Sequence, residues 1–140
     1  MKQSRKDQKH LMRFLMEASS LHELLEILKS ISERLRLNKQ NTHQVLYQRL
    51  QFIFFSLMVK SDGLLNRMLL RCDTLSAGTA PFQKTAAELL VVKKAIKAAY
   101  HSTQQGNLLS ARKEIIFAAD TYEPVYASLQ TTAFKALARK

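Results

Sequence analysis

The fold class is decided by residues 21–35, which read LHELLEILKSISERL. Apolar side chains recur there every three or four residues, as on one face of an α-helix. The opposite face alternates acidic and basic residues at the same spacing, which is typical of a solvated helix surface. The apolar positions are Leu21, Leu24, Leu25, Leu28, Ile31 and Leu35. The pattern predicts an amphipathic helix that begins after Ser20 and ends at about residue 37.

Similar spacing continues in both directions and predicts an all-α fold. One break is predicted at Ser19-Ser20, where Ser20 and Glu23 form a capping box for the following helix. Another break or a kink is predicted at residues 61–63, which read Ser-Asp-Gly. Gly106 and Asn107 predict a helix end and a helix start, and Pro124 predicts a kink or restart. The predicted helices cover residues 2–18, 21–37, 42–60, 64–76, 81–105, 108–123 and about 123–139.

Length and composition favour one domain over residues 1–140. Only 3 Gly and 2 Pro are present, too few for the many tight turns that sheets need. We therefore expect a single compact bundle of six to seven short-to-medium helices joined by short loops. The segment 77–81 is the clearest boundary, and it leaves open a subdivision into N-terminal helices (1–76) and C-terminal helical hairpins (81–140).

The turn at residues 104–108, followed by Ala111 and Pro124, resembles one tetratricopeptide hairpin over about 30 residues. Such repeats need about three copies for stability, and no second copy is found. We therefore expect an ordinary antiparallel helix hairpin at this position.

The predicted helix 42–60 is apolar on two sides. One stripe contains Leu46, Leu50, Ile53, Phe54 and Leu57, while Val45, Phe52, Phe55 and Val59 lie off it. Such a helix is either central in the core or uses its second face for a partner. Phe52, Phe55 and Val59 are therefore candidate partner-facing residues.

Charge is the unusual property of this chain. There are 22 Lys and Arg against 11 Asp and Glu, which gives a net charge of +11. Such an excess favours polyanionic partners, although a surface for an acidic protein or plain solubility charge would have the same composition.

Three groups of cations are candidate polyanion-binding residues. The first is an ordered row on the N-terminal helix: Lys2, Arg5, Lys6, Lys9 and Arg13. Such a row could follow a phosphate backbone or lie on an anionic membrane surface. It could also belong to an N-terminal arm that contacts no partner. The second lies on the predicted helix 81–105: Lys93, Lys94 and Lys97. The third is diffuse, and its possible members are Arg34, Arg36, Lys39, Arg67 and Arg71, with Arg49 and Lys60 between them.

Motifs for catalysis or metal binding are not found in the sequence. The 4 His are scattered singly, and Cys72 is the only cysteine, which favours a small buried side chain in a reducing compartment. We expect no enzyme activity, no catalytic residues, no cofactor and no metal site. We also expect no signal peptide, no membrane span and a cytoplasmic location.

These observations favour a small basic binding protein that contacts nucleic acid or a nucleoprotein complex, mainly through phosphate-backbone electrostatics. A replication, plasmid, phage or RNA-associated accessory factor would fit. The alternative is a protein–protein interaction module (an adaptor, chaperone or inhibitor) that uses the apolar third helix and the C-terminal hairpin. An acidic protein is the other candidate partner, and a homo-oligomer is possible.

Overall fold

The computed structural model describes residues 5–38, 44–76 and 81–138. These residues form four long helices: α1 (Arg5–Asn38), α2 (Gln44–Ser76), α3 (Pro81–Gln104) and α4 (Leu108–Ala138). The all-α prediction is confirmed. The predicted count of six to seven helices is wrong, because α1, α2 and α4 each continue through a predicted break.

The continuity of α1 has a simple physical reason. Its buried positions alternate spacings of three and four from Leu11 to Leu35, and this alternation passes through Ser19-Ser20 without a change of phase. A helix whose buried face repeats every seven residues keeps that face against its neighbours along its whole length. The positions are Leu11, Phe14, Ala18, Leu21, Leu25, Leu28, Ser32 and Leu35.

The same repeat carries α2 through residues 61–63. Phe54, Met58, Ser61, Leu65 and Met68 are all buried at spacings of three and four. The Ser61 hydroxyl donates a hydrogen bond of 2.8 Å to the Leu57 carbonyl, so a buried polar group is satisfied inside the helix. Tertiary packing therefore overrides the local preference of Ser, Asp and Gly for a turn.

Pro124 likewise lies inside α4. Tyr122 and Val125 on either side are buried, whereas Pro124 itself is exposed. The helix therefore keeps one buried face across the proline, and the predicted restart is wrong.

The four helices form an up-down-up-down bundle. Helix α1 packs on α2 and α4, and α3 packs on the same two helices. Among the described residues, the backbones of the diagonal pairs α1/α3 and α2/α4 are not neighbours. Helices on the two sides of the boundary at residues 77–81 contact each other, since α1 packs on α4 and α2 packs on α3. Near the start of α3, the rings of Phe14 and Phe82 lie 5.9 Å apart across one diagonal.

The connection between α3 and α4 follows the sequence prediction. Gly106 has a φ of 77°, in the left-handed region that favours glycine at the end of a helix. Asn107 caps α4, since its Oδ1 accepts a hydrogen bond of 3.1 Å from the Ser110 amide. The expected antiparallel hairpin is therefore present.

In the part of the chain that the structure describes, we find no helix with a stretch long and apolar enough to cross a membrane.

Candidate functional site

The outer face of α2 carries an apolar stripe that points away from the core. Val45, Phe52, Val59 and Leu70 are 47%, 72%, 59% and 67% exposed. Their spacings place them within an arc of about 40° on the helix, opposite the side that buries Phe54. Three of them are separated by seven residues, the period of a helix–helix seam. We call these four residues the outer stripe.

One side of the outer stripe is basic, whereas the other is polar and includes an acidic residue. Arg49, Lys60 and Arg67 are exposed and lie about 60° round the helix from the stripe, which we call the cationic edge. Gln48, Asn66 and Asp73 are exposed along the other side. The surface therefore presents an apolar row bordered by positive charge on one side only.

A shallow depression of about 420 Å³ lies at the N-terminal end of the outer stripe. It is lined by Val45, Gln48, Arg49, Phe52 and Ile53, all from α2. Because a single helix supplies the whole lining, the depression is a surface feature that a side chain of a docked partner could fill.

The structure separates the three predicted partner-facing residues. Phe52 and Val59 are exposed in the outer stripe. Phe55 is half-buried, and its ring meets Tyr100 of α3 edge-on with a centroid distance of 5.1 Å. Phe55 therefore belongs mainly to the α2–α3 contact. The sequence prediction did not include Val45 or Leu70 among the partner-facing residues, although both fall on the same arc as Phe52.

The described side chains of the first group of predicted cations lie on the outside of α1. Arg5, Lys9 and Arg13 are exposed, within an arc of about 80°. Lys6 lies in α1, but its side chain is not among those described, and Lys2 lies outside the described residues.

The second group is divided by the fold. Lys94 and Lys97 are exposed on the outside of α3. Lys93 points to α2, where its ammonium lies 4.0 Å from Asp62 Oδ1 and donates to Asn66 Oδ1. Since α1 and α3 occupy opposite corners of the bundle, the exposed cations of the two helices point in opposite directions.

Two members of the third group are engaged by carboxylates at hydrogen-bond distance. Arg71 is bound to Glu17 of α1, and Arg36 Nη2 lies 2.7 Å from Glu33 Oε1. Hydrogen bonding from Arg36 lowers the pKa of Glu33 below its usual value, and the charge of Arg112, whose Nε lies 2.5 Å from Glu33 Oε2, acts in the same direction.

The remaining described members of that group are divided between α1 and α2, where Arg49, Lys60 and Arg67 form the cationic edge. Arg67 lies 3.7 Å from Glu17 Oε2 and remains more than half exposed. Arg34 is exposed on α1, and Lys39 lies outside the described residues. The candidate cations that the structure describes therefore do not converge on one face.

The reactivity of Cys72 is limited by its surroundings. Its side chain is fully buried, and burial raises the pKa of the thiol to about 12, with a smaller contribution from Asp73. Since the thiolate is the reactive form, the thiol is unreactive near neutral pH in the folded state. The expected burial of Cys72 is confirmed.

Comparison with known proteins assigns no family. No protein-family model, no curated protein and no solved structure matches this chain. The proposals below therefore rest on the geometry of the described residues.

Proposed function

We propose that this protein is a binding module without catalytic activity, which docks an acidic amphipathic helix of a partner protein along the outer stripe of α2. The observation that carries the proposal is the exposure of Val45, Phe52, Val59 and Leu70 in one row opposite the core. Exposed apolar side chains that line up on one face of a helix are typical of interaction sites.

The dimensions of the row fit a helix as its occupant. Val45 and Leu70 are separated by about 37 Å along the axis of α2, at ~1.5 Å per residue. A partner helix that lies along α2 would bury its own apolar face against this row, with anchor positions in contact every two to three turns. An extended peptide that binds by strand addition would need an open sheet edge, and the described residues form helices alone.

The cationic edge indicates the charge of that helix. Glu and Asp beside the apolar face of the partner would lie opposite Arg49, Lys60 and Arg67, as charged positions flank the seam of a coiled coil. A second copy of the chain is a poorer occupant, because each copy carries a net charge of +11 and would present the same cations.

A designed peptide pair can test the proposal while the natural partner is unknown. The probe is a four-heptad amphipathic helix with a Leu/Ile face flanked by Glu, and its control has the same apolar face flanked by Lys. We expect the Glu peptide to bind the full chain in an anisotropy titration. We expect the Lys peptide to bind at least tenfold more weakly, because it meets the cationic edge with like charge.

Matched variants locate the binding surface. Phe52→Ser together with Val59→Ser should weaken the Glu peptide by about tenfold or more, by analogy with other interface anchors. Phe117→Ser, which removes a half-exposed aromatic ring from the outside of α4, should leave binding unchanged. Equal binding of the two peptides, or equal effects of the two changes, would overturn the proposal.

Self-association is a third outcome of the same experiment. Light scattering of the chain alone should give the monomer mass of 16.0 kDa. A dimer that Phe52→Ser and Val59→Ser convert to a monomer would show that a second copy occupies the outer stripe, and the acidic partner would then be rejected.

Nucleic acid remains a second candidate partner, favoured by the net charge of +11 and by the exposed arc of Arg5, Lys9 and Arg13. Binding to a generic duplex should then fall steeply between about 50 and 200 mM salt, as counterion release requires. Charge reversal of Arg5, Lys9 and Arg13 should abolish this binding. Binding that survives the reversal, or that does not depend on salt, would exclude this surface.

A further inference from the structure

A group of potential metal ligands lies where α1 packs on α4, on a different face from the outer stripe. His22 Nε2 and Glu123 Oε2 are 3.0 Å apart. Glu26 follows His22 by one helical turn on α1, so it presents its carboxylate on the same side. One ligand atom from each of the three residues lies within 4.8 Å of the others.

The imidazole of His22 is held in place by a stack of aromatic rings. It lies against Tyr126 with a centroid distance of 4.7 Å and an interplanar angle of 24°. Tyr126 in turn stacks on Tyr122 at 5.9 Å. The buried Tyr122 hydroxyl donates a hydrogen bond of 2.8 Å to the Ala18 carbonyl, which anchors the stack in the core. The His22 ring is therefore oriented before any ligand arrives.

We propose that His22, Glu26 and Glu123 bind a divalent transition metal ion such as Zn²⁺ between α1 and α4. One imidazole nitrogen and two carboxylate oxygens suit this class of ion, whereas Mg²⁺ and Ca²⁺ prefer shells made of oxygen alone. Three protein ligands leave the fourth tetrahedral position to water.

The geometry requires only small movements. Ligand atoms around tetrahedral Zn²⁺ are separated by about 3.4 Å, given metal–ligand bonds of ~2.1 Å. The side chains of Glu26 and Glu123 are 50% and 63% exposed, so both carboxylates have room to turn toward the fixed His22 ring. Lys29, at 3.7 Å from Glu26, is the competing partner and would have to give way.

The expected consequence is a link between the first and last helices. An ion that binds the folded state and not the unfolded chain stabilises the fold by mass action. Zn²⁺ should therefore raise the melting temperature of the full chain, while Mg²⁺ and Ca²⁺ should have no effect.

NMR of the histidine rings gives a readout that identifies the ligand. The chain has 4 His, so each ring can be followed separately in long-range ¹H–¹⁵N spectra. Zn²⁺ should shift the ring nitrogens of His22 and leave those of His101, an exposed histidine on α3, unchanged. His22→Gln and Glu123→Gln should each remove the rise in melting temperature, while His101→Gln should retain it.

Circular dichroism first checks that each variant is folded, and Glu123→Gln keeps the test valid if His22→Gln is not. Three results would overturn the proposal. They are an unchanged His22 ring at saturating Zn²⁺, a rise in melting temperature that persists in both variants, and an equal rise with Ca²⁺. The contact between His22 and Glu123 would then be an ordinary hydrogen bond with no role in metal binding.

Discussion

Arg71 of α2 donates two hydrogen bonds to Glu17 of α1, with Nε–Oε1 at 2.5 Å and Nη2–Oε2 at 3.2 Å. Its third nitrogen, Nη1, lies 3.1 Å from His10 Nδ1. The side chains of Arg71 and Glu17 are only 17% and 13% exposed. An arginine that belongs to a predicted polyanion-binding group therefore links two helices of the bundle.

This relationship predicts that Glu17→Gln lowers stability. The change leaves a mostly buried guanidinium without its counter-charge, and we expect a loss of about 1–3 kcal/mol in the free energy of unfolding, below the range for fully buried pairs because some solvent remains. Urea denaturation of the full chain measures it. Arg67→Gln is the matched control, since Arg67 is 56% exposed and lies 3.7 Å from the same carboxylate. Equal losses for the two variants would contradict the structural role of Arg71.

The buried thiol of Cys72 predicts a dependence of stability on pH. The ordinary pKa is 9.0, and burial raises it to about 12 in the folded state. Between these values the folded state holds the thiol proton and the unfolded chain releases it. The free energy of unfolding should therefore be fully retained below pH 9.0 and fall as pH rises above it, by up to ~1.4 kcal/mol per unit from this group.

Urea denaturation should be used to measure the free energy of unfolding of the wild type and of Cys72→Ala at several pH values above 9.0, and the two should be compared at each pH. The variant carries a packing loss that does not depend on pH, so the gap between the two curves should shrink as pH rises. A constant gap would show that the thiol ionises equally in both states. Thiol labelling near pH 8 should likewise proceed only after unfolding.

Local sequence patterns predict the helical class and several helix ends correctly. Gly106 and Asn107 act through contacts within a few residues, which is why their roles can be predicted from sequence. The breaks expected at Ser19-Ser20 and at residues 61–63 were wrong, because the buried face of each helix continues through them and packing decides the outcome.

The surfaces could be predicted only in part, for a related reason. Phe52 and Val59 were recognisable from their position off the main stripe, whereas several charged side chains have partners that lie far away in the sequence. Lys93 meets Asp62 across the α2–α3 contact, and His22 meets Glu123 at a separation of 101 residues. Which charges meet is determined by the order of the helices in the bundle.

Two glycines predict opposite effects of the same substitution. A methyl group meets no atom within 4 Å at either Gly63 or Gly106, so crowding is absent at both. Gly63 lies inside α2, where alanine should raise the free energy of unfolding by about 0.5–1 kcal/mol. Gly106 has a φ of 77°, where an L-residue is strained. Alanine at this position should therefore lower the free energy of unfolding by about 1 kcal/mol. Thermal unfolding compares the pair, and a change of the same sign in both would contradict the backbone argument.

Pro124→Ala should stabilise the protein. Proline in a helix interior lacks the amide hydrogen that would bond to the carbonyl four residues earlier, here that of Asp120, and costs about 3 kcal/mol relative to alanine. Pro124 is exposed, so its ring contributes little to the core, and we expect a gain of about 1–3 kcal/mol in the free energy of unfolding. Hydrogen exchange should show a protected amide at position 124.

Thr131→Ala is the control for helix propensity, because Thr131 is also exposed on α4 and its substitution should change stability by less than about 0.5 kcal/mol. A lower melting temperature for Pro124→Ala would mean that the core needs the bend that proline imposes. Tyr122 and Val125, which are buried on either side, would then be held against α1 and α3 by that bend, and their amides should exchange faster in the variant.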